Sequence, residues 1–132
     1  KRNPYLHLIY KNQLKEESFT VYQQEKCMVE KLAYPVLIAS HIKPFFVSNE
    51  EEAYDPNNGI LLSRNIDSLF DLGYITFEDD GSIKFSETEK LNQELKDFIG
   101  KYSLDNRFIN EKRLTYLEYH RKEVFGKRYK YA

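Results

Sequence analysis

The sequence predicts a small α+β domain. Short apolar runs bounded by turn residues alternate with segments whose apolar residues recur at helical spacing, which is typical of this class. The length of 132 residues corresponds to one domain. A composition of 41% hydrophobic and 31% charged residues is that of a globular protein and excludes disordered and low-complexity classes.

The first elements are a helical segment and two strands. Residues 4–26 have weakly periodic apolar positions and predict one or two helices. Residues 36–39 form a β-branched apolar run that predicts a buried strand. After an acidic loop over 48–58, Asn58-Gly59 indicates a turn into a second strand over 60–62.

The second half predicts a short helix, a hairpin and two further helices. Ser63 is a candidate N-cap for a helix over 65–72, which ends at Gly73. Residues 74–85 predict a β-hairpin around an acidic turn. Amphipathic spacing then predicts helices over 87–100 and 110–123.

The apolar runs, the cysteine content and the net charge each exclude or disfavour a class of function or site. No run of about 18 apolar residues is present, so we expect no membrane partner. Cys27 is the only cysteine, which excludes an internal disulfide and structural zinc sites built on two thiolates. The net charge of −1 argues mildly against non-specific nucleic-acid binding.

The charge is unevenly distributed along the chain. Residues 48–98 hold four basic and 13 acidic residues, whereas residues 101–132 hold nine basic and four acidic ones. A basic end that grips a polyanion and mutual neutralisation within the fold are both compatible with this pattern.

The residues suited to chemistry lie where the two predicted strands meet the short helix. This unit can bring His41 and Asn65 to the same end. An imidazole with a pKa near neutrality can take a proton from water, and an amide oxygen is a hard ligand for a divalent metal. Together they suit phosphodiester hydrolysis, although each alone has an ordinary structural explanation.

Three separated segments and the C-terminal motif share a family resemblance. Residues 37–44 (LIASHIKP), 55–63 (DPNNGILLS) and 65–71 (NIDSLFD) resemble the HNH endonucleases, especially the branch found in bacterial restriction and phage-defence proteins. Residues 116–125 resemble the end of that branch. The resemblance implies a ββα-metal (HNH) core with an added β-hairpin and flanking N- and C-terminal helices.

The resemblance also implies domain limits. We expect a helical lead-in over 1–26, the HNH nuclease domain over 27–125 and a basic C-terminal tail over 126–132. Because the chain begins with Lys1, we expect it to belong to a longer protein, with an N-terminal recognition domain. We also expect a dimer, since two modules would be needed to cut both strands.

Each matched position receives a role from the resemblance. His41 is the general base that activates water, Asn58 is structural and orients the loop between the strands, and Asn65 is a metal ligand. Many family members have Asp or His directly before the base, whereas this chain has Ser40, a poorer ligand. The carboxylates that could compensate are Asp55, Asp67 and Asp71.

The expected cofactor and phosphate contacts follow from the same comparison. The His-Asn-Asn pattern favours Mg²⁺ or Mn²⁺, and no structural zinc is expected. Candidate phosphate- or DNA-binding residues are Lys43, His120 and Arg121.

The resulting hypothesis is a metal-dependent DNA endonuclease domain. We expect it to cut double-stranded DNA in the bacterial cytoplasm as the cleavage module of a restriction or phage-defence protein. The alternative is a catalytically silent HNH-fold module that binds DNA or a partner, because Ser40 leaves the metal site one charge short.

Overall fold

The computed structural model describes residues 2–127, so most of the predicted basic tail lies outside the described residues. The helices are α1 (Pro4–Tyr22), α2 (Glu50–Ala53), α3 (Arg64–Asp71), α4 (Gln93–Ile99) and α5 (Glu111–Glu123). The strands are β1 (Ile38–His41), β2 (Gly59–Leu62), β3 (Ile75–Phe77) and β4 (Ile83–Phe85). This arrangement confirms the predicted α+β class. No described helix is both long and apolar enough to cross a membrane.

The strands form two separate antiparallel pairs. In the first pair, Ile38 of β1 lies opposite Leu62 of β2, and His41 lies opposite Gly59. The second pair, β3 with β4, is the predicted hairpin. The register of the first pair places His41 at the end of β1, beside the start of β2.

Helix α1 packs closely against the first strand pair. Tyr10 and Leu14 are fully buried in the core. A Cβ atom at Gly59 would overlap the Tyr10 hydroxyl and the Leu14 side chain, so the close approach of α1 depends on glycine at this position. Tyr10 also donates a hydrogen bond of 2.7 Å to the backbone oxygen of Asn58.

A buried arginine joins α1 to α5 and β2. The Arg113 guanidinium is completely buried and forms an ion pair of 2.7 Å with Glu17 of α1. It also donates to the backbone oxygens of Gly59 and Phe108 at 3.1 and 2.7 Å. Because the guanidinium of α5 pairs with Glu17 of α1 and donates to Gly59 of β2, this buried charge fixes the three elements relative to one another.

Helix α3 has the N-cap predicted at Ser63 and ends before Gly73, one residue earlier at each end than the predicted 65–72. The Ser63 hydroxyl accepts a hydrogen bond from the Ile66 backbone N–H, which is an N-cap contact. Ile66 and Phe70 are buried on one face. Gly73 then adopts a φ of +79°, where a side chain would be strained and would meet the backbone of Val124.

Candidate functional site

A cleft of about 440 Å³ opens where β1 ends between α1 and α3. Its lining combines groups from three parts of the fold. The cations come from the N-terminal segment, the acids come from α3, and the floor comes from β1. The polar lining residues are Arg2, His7, Lys11, Ser40, His41, Asp67 and Asp71.

His41 is held in a defined orientation at the floor of this cleft. Its ring stacks on that of Tyr10, with a centroid distance of 4.7 Å and an interplanar angle of 12°. His41 Nε2 lies 2.7 Å from the backbone oxygen of Ala53. A carbonyl oxygen can only accept, so Nε2 must carry the proton and Nδ1 is the basic nitrogen of the neutral ring.

The surroundings of His41 favour its neutral form. Burial lowers its pKa to about 4, and the charge of Arg2 adds to this effect, while the hydrogen bond to Ala53 opposes it. His41 is therefore neutral at pH 7, with the Nδ1 lone pair available to accept a proton.

Asn58 joins the end of β1 to the loop that precedes β2. Its side chain is fully buried. Its Oδ1 accepts from the Lys43 backbone N–H at 2.7 Å, and its Nδ2 donates to the backbone oxygens of Lys43 and Glu52 at 3.2 and 3.0 Å. These contacts tie the end of β1 to the segment before β2, and Asn58 does not line the cleft.

Helix α3 presents two carboxylates to the cleft, and Asn65 lies elsewhere. Asp67 and Asp71 are four residues apart, so they share one face of the helix, and both line the cleft. Asn65 lies roughly 200° around the helix from Asp67. It is exposed and borders a different depression beside residues 34–36. This placement corrects the expectation that Asn65 meets His41.

In the acidic wall of the cleft, the carboxyl groups of Asp67 and Asp71 have raised pKa values. Burial raises the pKa of Asp67, and the nearby Asp71 charge raises it further, while the Ser40 hydroxyl opposes the shift. Burial also raises the pKa of Asp71, against the effect of Arg2. The Ser40 Oγ atom is buried and has no hydrogen-bond partner of normal geometry among the described residues.

These oxygen donors fit a hard divalent cation. Two carboxylates whose charged forms are disfavoured by burial, with the Ser40 hydroxyl in the same cleft, are groups that such a cation would stabilise. Within residues 2–127, no three His, Cys, Asp or Glu side chains are arranged to hold a metal on their own. A cation here would thus keep part of its water shell, as Mg²⁺ commonly does.

The structure contradicts the phosphate-binding role expected of His120. This side chain is buried, and its ring stacks on Phe70 with a centroid distance of 3.8 Å. Its Nε2 donates to the backbone oxygen of Phe70 at 2.9 Å, and Nδ1 accepts from the Thr76 hydroxyl at 2.8 Å. Both nitrogens are used inside the core, so His120 is a structural residue.

Lys43 and Arg121 are also committed to contacts within the protein. Lys43 pairs with Glu52 at 2.8 Å. Arg121 donates to the backbone oxygen of Phe77 and pairs with Asp79, both at 2.7 Å. Neither cation lines the cleft that contains His41.

The N-terminal segment contributes to the cleft in a way that was not predicted from the sequence. His7 and Lys11 are four residues apart on α1, which is the spacing of two side chains on one helical face. The weak apolar periodicity of α1 concealed this polar pair. Only the packing of α1 on β1 and β2 brings it beside His41.

Part of the chain is similar to a known protein family. Residues 27–78 match a family model described as HNH endonuclease. No curated protein matches the chain. Among solved structures, a "Modification dependent TagI restriction endonuclease" superposes with a TM-score of 0.56 at 20% sequence identity, covering 85% of this chain.

The structural match concerns the fold. The aligned part corresponds to 37% of the TagI chain, so the present chain spans little more than a third of that protein. The family match over residues 27–78 includes His41 and both α3 carboxylates, whereas α1 and α5 lie outside it.

Proposed function

We propose that the chain is a metal-dependent nuclease module of the HNH type that hydrolyses phosphodiester bonds in double-stranded DNA, since residues 27–78 match the HNH endonuclease family. The observation that carries this proposal is the fixed, neutral imidazole of His41 beside two carboxylates in one cleft. We further propose that the module serves a restriction or phage-defence protein, with target recognition in a preceding domain or through a dimer.

In this proposal His41 carries out the proton transfer. Water attacks phosphorus in line with the departing 3′ oxygen, and His41 Nδ1 accepts the proton of that water. The hydrogen bond from Nε2 to Ala53 and the Tyr10 ring keep Nδ1 in place. The products are a 5′-phosphate and a 3′-hydroxyl, as the family resemblance implies.

Asp67, Asp71 and Ser40 are the residues that would hold the divalent cation. The chemistry supplied by that cation is neutralisation of charge on the phosphate and on the departing oxygen. The two carboxylates also replace the charge that is missing at position 40. They therefore replace Asn65 as the proposed principal ligands.

Plasmid nicking with Mg²⁺, Mn²⁺ or EDTA tests this proposal. We expect His41→Asn to reduce nicking by about 10²–10⁴-fold, the usual range for loss of a general base. Asp67→Asn and Asp71→Asn should abolish cutting in Mg²⁺. Circular dichroism of each variant verifies that the fold is retained.

Asn65→Ala is the matched control, because it alters the same helix outside the cleft. We expect this variant to nick at the wild-type rate. Loss of activity in Asn65→Ala together with retention in both aspartate variants would return the metal to Asn65. A folded wild-type protein that binds DNA without cutting it would establish the silent-module alternative.

A further inference from the structure

The cleft has opposite charges on its two walls. Asp67 and Asp71 of α3 form the acidic wall, whereas Arg2, His7 and Lys11 line the cleft from the N-terminal segment and α1. The floor between the walls contains His41, the proposed base. A phosphodiester placed over His41 would therefore lie between a wall suited to a cation and a wall suited to its own negative oxygens.

The cations of this second wall are not used in ion pairs. Neither Arg2 nor Lys11 takes part in a salt bridge among the described residues, whereas Lys43 and Arg121 outside the cleft are both paired. Arg2 instead lies over the Phe45 ring at 4.8 Å, which keeps its guanidinium at the rim of the cleft.

His7 adds an unpartnered donor or acceptor to the same wall. Its Nδ1 atom is buried and has no hydrogen-bond partner among the described residues. Its ring lies 6.5 Å from that of His41, with an interplanar angle of 22°. Because burial and the charges of Arg2 and Lys11 lower its pKa, His7 is a neutral hydrogen-bonding group at pH 7.

The position of α1 is fixed independently of any ligand. Tyr10 holds it to the loop before β2, and the ion pair between Glu17 and Arg113 holds it to α5. The wall is thus formed in advance, so little ordering entropy opposes binding.

We propose that the N-terminal segment with α1 is the phosphate-binding wall of the active site. Arg2 and Lys11 bind non-bridging oxygens of the DNA strand that lies over His41, and His7 forms a hydrogen bond to the same backbone. This inference rests on the proposed function, because it takes that strand to be the substrate. The working site then extends beyond residues 27–78, the segment that matches the family.

The salt dependence of DNA binding measures these contacts directly. The probe is a fluorescein-labelled DNA duplex, titrated by anisotropy in EDTA against the cleavage-deficient His41→Ala protein. The slope of log K against log salt concentration is negative, and each lost phosphate contact makes it less steep by about 0.9. We expect Arg2→Gln and Lys11→Gln each to show this decrease.

Two further variants separate a local contact from a general charge effect. Lys15→Gln removes the same charge one turn further along α1, outside the cleft, and should leave the slope unchanged. His7→Gln should weaken binding without changing the slope, because neutral His7 releases no counterion. Thermal melts of all variants verify folding.

The outcomes distinguish this inference from the proposed function. Equal slopes for Lys11→Gln and Lys15→Gln, with metal-dependent nicking intact in the wild type, would overturn the phosphate wall alone. A protein that neither binds the duplex nor nicks a plasmid would overturn both proposals.

Discussion

The protonation of His41 makes folding stability depend on pH in a way that can be calculated. Its pKa is about 4 in the folded protein, against an ordinary value of 6.5. Between these values the unfolded chain binds more protons than the native state, so the free energy of unfolding falls as the solution is acidified. The stabilisation is complete above pH 6.5 and is lost progressively as the pH falls towards 4.

The expected magnitude follows from the same two pKa values. Lowering the pH from 7 to 5 should cost about 2 kcal/mol through His41 alone, because one pKa unit corresponds to about 1.4 kcal/mol. His41→Asn removes this titration. The variant should therefore lose about 2 kcal/mol less than the wild type over this interval.

Urea denaturation at pH 7 and pH 5, followed by circular dichroism, measures this difference. Asp67 and Asp71 have raised pKa values, so their titration increases the free energy of unfolding as the pH falls. This contribution is common to the wild type and His41→Asn, so the difference between the two proteins reports the titration of His41. An equal decrease in the free energy of unfolding of both proteins between pH 7 and pH 5 would contradict a lowered pKa at His41. His41 would then titrate normally, and its neutral form would not be imposed by the fold.

Two further predictions concern the framework around the site. Gly59→Ala should lower the free energy of unfolding by about 1–3 kcal/mol, because the new methyl group overlaps Tyr10; a thermal melt measures this, and an unchanged melting temperature would contradict the close packing of α1. His120→Phe should cost about 1–3 kcal/mol for each partner left unpaired, at Thr76 and at the Phe70 carbonyl. Nicking by this variant below its melting temperature should equal that of the wild type, whereas a selective loss of activity would restore a functional role for His120.

Local signals were sufficient to predict most of the elements. Asn58-Gly59 marks the start of β2, and Ser63 and Gly73 bound α3, because turn and cap chemistry depends only on neighbouring residues. Helix boundaries that no turn or cap residue marks were predicted less accurately. The helix predicted over 87–100 is shorter in the structure, at Gln93–Ile99.

The site was harder to predict because its composition depends on tertiary packing. His41 and Asn58 lie on a strand end and a turn whose positions the sequence marks well. The face of α3 that meets the cleft depends on how Ile66 and Phe70 pack, which motif spacing does not reveal. The burial of His120 likewise results from the packing of α5 beside Phe70. It could not be predicted from the C-terminal motif over residues 116–125, which indicated a functional role instead.

Asp67 and Asp71 line the same cleft as Ser40 and can supply the charge that position 40 lacks. A hydroxyl before the base carries no charge, and on sequence alone this favoured a silent module. Two carboxylates from the next helix now line the cleft beside that hydroxyl, and burial makes their charged forms costly unless a cation is near. A protein with no use for a cation would gain stability by replacing these aspartates with neutral residues. Asp67→Asn and Asp71→Asn are thus expected to raise the thermal stability of the metal-free protein while abolishing nicking, a combination that a purely structural role cannot produce.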